Sequence, residues 1–156
     1  MPAYWLIKGD PDDYSAGDLE RDGVTAWEGV RNAAAQLHLR AMSRGDGLLI
    51  YHTGNEKSVV ARGTIASAPR PDPGDPDGRR VVVDVRFDSW LPRPVTLAEI
   101  KADPAFAEFA LVRIGRLSVM PVAGSLWKRL LALGGAKADS HARSGGPRGE
   151  RPRQKL

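Results

Sequence analysis

The chain has 156 residues, of which 42% are hydrophobic and 27% are charged, a composition typical of a globular domain with a real core. It contains no cysteine, which excludes disulfides, thiolate nucleophiles and metal sites built on cysteine. The net charge of +4 comes from residues 136–156, which carry six basic and two acidic side chains, whereas residues 1–135 carry 17 of each. We therefore predict one folded domain over residues 1–135 and a disordered basic tail over residues 136–156.

The first residues lack the basic segment and following apolar segment of a signal peptide. No apolar run approaches the roughly 18 residues that a membrane span requires. We therefore expect a cytoplasmic protein without membrane contacts, and we expect it to be a monomer. The three histidines are scattered along the chain, so the sequence predicts no metal site and no cofactor.

The chain is predicted to begin with a strand and a short helix. Residues 3–8 are aromatic and β-branched enough to form the strand. Ser15 followed by Asp18 is the pattern of a helix start, and Gly23 predicts where that helix ends.

A second helix is predicted to begin at Asn32, a residue type that caps helix N-termini, and to reach Met42. Leu37, Ala41 and Met42 are spaced to form its buried stripe. Trp27 lies in the turn just before this helix. An indole beside the free amides of a helix N-terminus can form the wall and floor of a site for a flat, polar-edged ligand. A core aromatic followed by a plain helix cap is the simpler interpretation.

The middle of the chain is predicted to form the sheet. Residues 47–53 are almost continuously apolar, which predicts a strand buried on both faces. Residues 58–67 return as a second strand, with Gly63 at a bulge or a close backbone approach. Residues 80–90 form a third strand after a loop over residues 69–78, which is rich in proline.

The last part of the chain is predicted to be mainly helical. Thr96 and Glu99 fit a capping box, and a further short helix follows over residues 104–110. A short strand over residues 116–120 precedes a closing helix that begins near Val122. The fold class predicted is α+β, with a mostly antiparallel, curled sheet and helices around it.

Two blocks have the order and spacing of one known family: W-x-G-V-R-N at residues 27–32 and G-R-L-S-V-x-P-V at residues 115–122. Shorter pieces in the family's order are residues 4–8, 14–15, 51–53 and 83–87, and Trp127. Together they cover residues 3–133 and resemble the EVE domain family. The resemblance implies a PUA-like fold, a curled β-barrel related to ASCH and YTH domains. It also implies a pocket that reads a modified base in DNA or RNA.

The resemblance also implies which residues form this pocket. They come from the end of the first strand, the Trp27 turn, the central strand and the last strand: Lys8, Gly9, Trp27, Val30, Asn32, Tyr51, His52, Thr53, Leu117 and Ser118. Arg31 and Arg116 are candidate contacts to the nucleic-acid backbone, and Lys8 is a further one. The chain departs from the family's pattern at Gly9, where serine is usual, and at Ala33, where tyrosine is usual. These departures imply a smaller and less polar pocket wall.

An aromatic wall and polar edge groups are what an extruded base needs. Trp27 can stack on the base, while the Asn32 amide and backbone groups near Gly9 and Val30 can read its edge. The alternatives are that Asn32 is only a helix cap and that His52 is a hydrogen-bonded structural imidazole.

The first functional hypothesis is a non-catalytic module that binds nucleic acid, DNA or RNA, carrying a modified base. The alternative is an ASCH-like hydrolase acting on a small modified nucleoside, with Lys8 and Glu28 as acid and base and Thr53 orienting water. The sequence has no G-x-S-x-G block, no metal-ligand spacing and no phosphate-binding glycine loop, which disfavours an enzyme. A protein–protein adaptor with a vestigial pocket is the third hypothesis.

Overall fold

The fold is taken from a computed structural model that describes residues 3–137. Within these residues the strands are β1 (Tyr4–Gly9), β2 (Val24–Trp27), β3 (Gly47–His52), β4 (Ser58–Ile65), β5 (Arg70–Pro71), β6 (Val81–Thr96) and β7 (Val119–Pro121). The α-helices are α1 (Ala16–Asp22), α2 (Ala33–Arg40), α3 (Leu97–Ala102), α4 (Ala110–Arg113) and α5 (Gly124–Leu133). A short 3-10 helix spans Pro104–Phe106.

The strands form one curled, mixed sheet in the order β2-β6-β4-β3-β1-β7, with β5 paired to the start of β6. Strands β1 and β3 run parallel, with Leu6 opposite Leu49, and the other neighbours run antiparallel. The sheet and the helices around it confirm the predicted α+β class with a mostly antiparallel sheet.

The centre of the sheet is the most deeply buried part of the molecule. Every residue of β3 and of β4 is buried, which confirms the strand pair predicted from the apolar run at residues 47–53. At Gly63 the strands come so close that a Cβ would lie 2.3 Å from the carbonyl oxygen of Arg86 on β6. The pairing of β4 with β6 shifts register at this point, as a bulge requires.

Local sequence sets the helix starts. The Ser15 hydroxyl accepts a hydrogen bond from the Asp18 amide, and the Asp18 carboxylate accepts one from the Ser15 amide. Thr96 and Glu99 form the same reciprocal pair at the start of α3. Both capping patterns predicted from the sequence are therefore present.

The predicted buried stripe of α2 is wrong for Leu37 and Ala41, whereas Met42 is buried just beyond the end of the helix. Leu37 is 65% exposed, and the helix ends at Arg40. The buried face consists instead of Ala35, Gln36 and Leu39, which are spaced as a helix requires. A glutamine on that face concealed the stripe, because a polar residue does not count toward an apolar pattern.

Other element boundaries also differ from the prediction. The helix expected over residues 104–110 is a 3-10 turn followed by the separate helix α4. Phe106 and Phe109 are both buried there, with ring centroids 5.8 Å apart, so the segment between the two helical pieces packs into the core. Strand β6 continues to Thr96, beyond the predicted end at residue 90, and the 69–78 loop contains β5.

Most of the predicted basic tail lies outside the described residues. Of its first two residues, Ala136 packs against the core and donates its amide to the carbonyl of Leu131 at 2.8 Å. The carbonyl of Lys137 accepts a hydrogen bond from the Arg62 guanidinium at 3.1 Å. Ordered contacts thus extend past the predicted boundary at residue 135. No helix among residues 3–137 is long and apolar enough to cross a bilayer.

Candidate functional site

A cavity of about 510 Å³ opens between the end of β1, the strand β2 and the turn after β2. Ligand pockets commonly measure about 300–1,000 Å³, so a nucleobase-sized ligand fits such a space. We call it the Trp27 cavity. Its lining residues are Lys8, Gly9, Asp10, Asp13, Tyr14, Thr25, Ala26, Trp27, Glu28, Gly29, Val30, Arg31 and Ser118.

The indole of Trp27 forms one wall of this cavity and is partly buried. Strand β2 places it opposite Val83 of β6. The ring of Tyr14 meets it edge-on, with centroids 6.3 Å apart and planes at 75°. On β1, a Cβ built at Gly9 would lie 3.3 Å from the indole Cη2 atom. The glycine that departs from the family's pattern therefore lets the indole lie directly against the strand backbone.

The turn after Trp27 is held by the buried side-chain amide of Gln36. Gly29 adopts a φ of +81°, a conformation that favours glycine. The side chain of Gln36 is 4% exposed and donates to the carbonyl of Val30 at 2.7 Å. Its oxygen also accepts a hydrogen bond from the amide of Val81, which fastens the turn to β6. Gln36 was not predicted from the sequence, although its place four residues after Asn32 on the capped helix was a usable signal.

Asn32 lies outside the residues that line the cavity. Its side-chain oxygen accepts a hydrogen bond from the Ala35 amide at 2.9 Å, so the side chain acts as the α2 cap. This geometry corresponds to the simpler interpretation rather than to base-edge reading. Ala33 is also exposed and is not among the residues that line the cavity.

Lys8 lines the cavity, but its ammonium group already has a partner. It donates to the carbonyl of Gly115 at 2.8 Å and lies 5.7 Å from the ring centroid of Tyr51. Burial lowers the pKa of Lys8 below its ordinary value. The amide of Lys8 also donates to the carbonyl of Ser118, so Lys8 connects β1 to the turn before β7 at two points.

The three residues predicted from the central strand do not line the cavity. Tyr51 is 3% exposed. The buried ring of His52 accepts a hydrogen bond from the Ala16 amide through Nε2, so Nδ1 carries the proton and donates to Glu56 at 2.9 Å. The amide of Thr53 donates to the carbonyl of Gly9. These three residues therefore lie next to the cavity-lining end of β1 without lining the cavity themselves.

The remaining predicted residues divide between the cavity and its surroundings. Ser118 and the exposed Arg31 line the cavity. Leu117 is 4% exposed and belongs to the core, and Arg116 is exposed on the neighbouring turn. The structure thus brings six of the predicted residues together: Lys8, Gly9, Trp27, Val30, Arg31 and Ser118.

The lining also contains residues that were not predicted to bind the base. Three are acidic, Asp10, Asp13 and Glu28, and all three are exposed. Tyr14 is a fourth, and its hydroxyl donates to Asp22 at 2.6 Å. Burial raises the pKa of Tyr14, and the Asp22 hydrogen bond raises it further. The wall therefore offers hydrogen-bond acceptors more than positive charge.

The residues named for hydrolysis are only partly assembled. Lys8 and Glu28 line the cavity, whereas Thr53 does not. Within residues 3–137 no group of three histidine or acidic side chains is arranged to hold a metal ion.

Comparison with known proteins places these features in a family. A family model described as the EVE domain matches residues 3–133. The NMR structure of a Rhodopseudomonas palustris protein is 43% identical and superposes with a TM-score of 0.82, covering 85% of this chain and 93% of that one. Human thymocyte nuclear protein 1 is 28% identical over 128 residues, which are 65% of this chain and 57% of the human protein. The chain thus spans little more than half of that relative's length.

One solved relative contains nucleic acid. The crystal structure of human THYN1 protein in complex with 5-methylcytosine-containing DNA superposes with a TM-score of 0.78 at 26% identity, covering 85% of this chain and 97% of that one. The family match spans the whole sheet, the Trp27 cavity and the closing helix. The chain therefore belongs to the EVE domain family, as the blocks at residues 27–32 and 115–122 predicted.

Proposed function

We propose that this domain is a non-catalytic module that binds a modified nucleobase in DNA or RNA and holds the base in the Trp27 cavity. The observation that carries this proposal is the indole of Trp27, which forms one wall of an open cavity of about 510 Å³. The complex of the human relative with 5-methylcytosine-containing DNA supports nucleic acid as the partner.

The fixed indole suits a flat ligand. Trp27 is held by Tyr14 on one edge and by the backbone at Gly9, so its ring does not have to be ordered when a ligand arrives. Stacking of a base on an aromatic side chain contributes about 1–3 kcal/mol. A preorganised wall delivers more of that energy as affinity, because less conformational entropy is lost on binding.

The charges of the lining favour a base over a phosphate. The carboxylates of Asp10, Asp13 and Glu28 repel phosphate oxygens. They can accept hydrogen bonds from exocyclic amino groups, such as the N4 amino group of cytosine. Arg31 is the exposed cation of the lining, and it suits a backbone phosphate outside the cavity.

Binding of matched oligonucleotides tests the proposal. Single strands with 5-methylcytosine or cytosine at one position are titrated into the wild-type protein at fixed salt. Trp27→Ala should lower the affinity for the modified strand by about 5- to 150-fold, the equivalent of one stacking contact. Trp90→Ala is the matched control, because Trp90 is 43% exposed on β6 and does not line the cavity.

Wild-type affinity in a folded Trp27→Ala protein would contradict the proposal. Trp27→Phe, which keeps an aromatic wall, separates loss of stacking from loss of packing and should retain part of the affinity. If the protein instead hydrolyses modified nucleosides, and Glu28→Gln abolishes that turnover, the hydrolase hypothesis replaces the binding module.

A further inference from the structure

The turn between α4 and β7 carries an exposed apolar side chain. Ile114 is 52% exposed, although isoleucine is among the residue types most often buried. It follows the last residue of α4, and the exposed Gly115 and Arg116 come next. A Cβ built at Gly115 would meet no atom within 4 Å, so the tip of this turn projects into open space.

This turn lies at the rim of the Trp27 cavity. The ammonium of Lys8 bonds to the carbonyl of Gly115 at 2.8 Å, and the amide of Lys8 bonds to the carbonyl of Ser118 at 2.9 Å. Lys8 and Ser118 both line the cavity. The projecting turn is therefore tied to the cavity wall on both sides of Arg116.

The backbone at Ile114 is fixed. Its amide donates to the carbonyl of Ala110 at 2.7 Å, and its carbonyl accepts from the amide of Leu117 at 3.1 Å. Leu117 itself is buried, which anchors the turn in the core. The exposed isoleucine is thus carried by a hydrogen-bonded turn that is anchored in the core next to the cavity.

The two exposed side chains of the turn suit a duplex. A base that leaves the stack exposes the apolar faces of its neighbours, and proteins that unstack bases commonly insert an apolar side chain there. Arg116 adds a positive charge two residues along the chain, where a phosphate can be contacted.

We propose that Ile114 is a wedge that enters the space left in a duplex when the modified base moves into the Trp27 cavity. This inference rests on the proposed function. It makes Ile114 a determinant of duplex binding and Lys8 a positioning residue that holds the turn in place.

The test compares one modified sequence as a single strand and as a duplex at the same salt concentration. Ile114→Ala should lower the affinity for the duplex by about 10-fold, as expected for an isoleucine that loses its buried site. Its affinity for the single strand should stay within about twofold of wild type, because a single strand leaves no gap to fill. Leu37→Ala is the matched control, since Leu37 is 65% exposed on α2 and does not line the cavity.

A fluorescent base next to the modified position reports unstacking directly. The wild-type protein should raise its fluorescence in the duplex, Ile114→Ala should raise it less, and Ile114→Met should restore the signal. Equal losses on single strand and duplex, or no loss on either, would overturn the wedge. If the wild-type protein fails to distinguish modified from unmodified single strands, the base-binding proposal itself fails, and the wedge fails with it.

Discussion

Two glycines illustrate how the centre of the sheet differs from the cavity edge. At Gly63 a Cβ would lie 2.3 Å from the backbone oxygen of Arg86, which the sheet cannot move without losing pairing. At Gly9 a Cβ would lie 3.3 Å from the ring of Trp27, a cavity-lining side chain that would have to yield by only a few tenths of an ångström. The same residue type allows close strand packing at the first position and close approach of a cavity-lining indole at the second.

The largest expected effect is the loss of stability in Gly63→Ala. The added methyl group has to displace backbone, so we expect the free energy of unfolding to fall by about 1–3 kcal/mol or more. Gly9→Ala should cost less stability, because the indole can shift by a few tenths of an ångström, yet it should weaken base binding by moving the wall. Urea denaturation and oligonucleotide titration measure the two effects. Equal losses of stability in Gly63→Ala and Gly9→Ala would contradict the expected difference between the centre of the sheet and the cavity edge.

A second pair of variants compares the buried side-chain amide of Gln36 with the exposed side-chain amide of Asn32. Gln36→Leu leaves the carbonyl of Val30 and the amide of Val81 without their buried partner, at a cost of about 1–3 kcal/mol. Because the turn is released from β6, base affinity should fall as well. Asn32→Ala removes only the cap of α2 and should cost about 1 kcal/mol with base affinity preserved. A loss of affinity in the folded Asn32→Ala protein would restore Asn32 to the binding site.

The same contrast explains what the sequence could predict. The almost continuous apolar run at residues 47–53 has to be buried in any fold, so this local pattern alone located the central strand. Gly63 could be assigned to a bulge or close approach, because a glycine inside a strand pattern has few other uses. The capping box at Thr96 and Glu99 is a local interaction and needed no knowledge of the fold.

The cavity could be predicted only in part. The family blocks identified Trp27, Val30 and Ser118, which the fold does bring to one cavity. A sequence block does not show which way a side chain faces, and Leu117 therefore proved to be a core residue beside Ser118. Asp13 belongs to no quoted block and reaches the cavity only through the path of the 10–14 loop.

The salt dependence of nucleic-acid affinity should distinguish the exposed Arg31 from Lys8, whose ammonium group is bonded within the protein. Arg31 is exposed at the cavity, so Arg31→Met should reduce the slope of log affinity against log salt by about one phosphate contact. Lys8 is half-buried and bonded to Gly115, so Lys8→Met should weaken binding through the turn while leaving that slope unchanged. Affinities measured at several salt concentrations give both slopes. A reduced slope for Lys8→Met would assign its ammonium to a phosphate instead.

The smallest expected effect concerns the tether of Tyr14, the edge partner of Trp27. Its hydroxyl donates a hydrogen bond to Asp22 at 2.6 Å, and this bond is the largest single cause of the lowered pKa of Asp22, followed by the hydrogen bond from Arg21. Because the folded protein lowers this pKa, the stabilisation is complete above the ordinary value of about 3.9 and is lost as the pH falls through the lowered value.

Tyr14→Phe should therefore move the pKa of Asp22 up toward its ordinary value, and Arg21→Gln should also move it up, since both side chains hydrogen-bond to this carboxylate. An NMR titration of the Asp22 carboxyl carbon measures both shifts. The phenylalanine ring keeps its edge against Trp27, so base affinity should change far less than in Trp27→Ala. A large loss of affinity in Tyr14→Phe would mean that the hydroxyl itself contacts the ligand, and the tether to Asp22 would then be a feature of the unbound cavity alone.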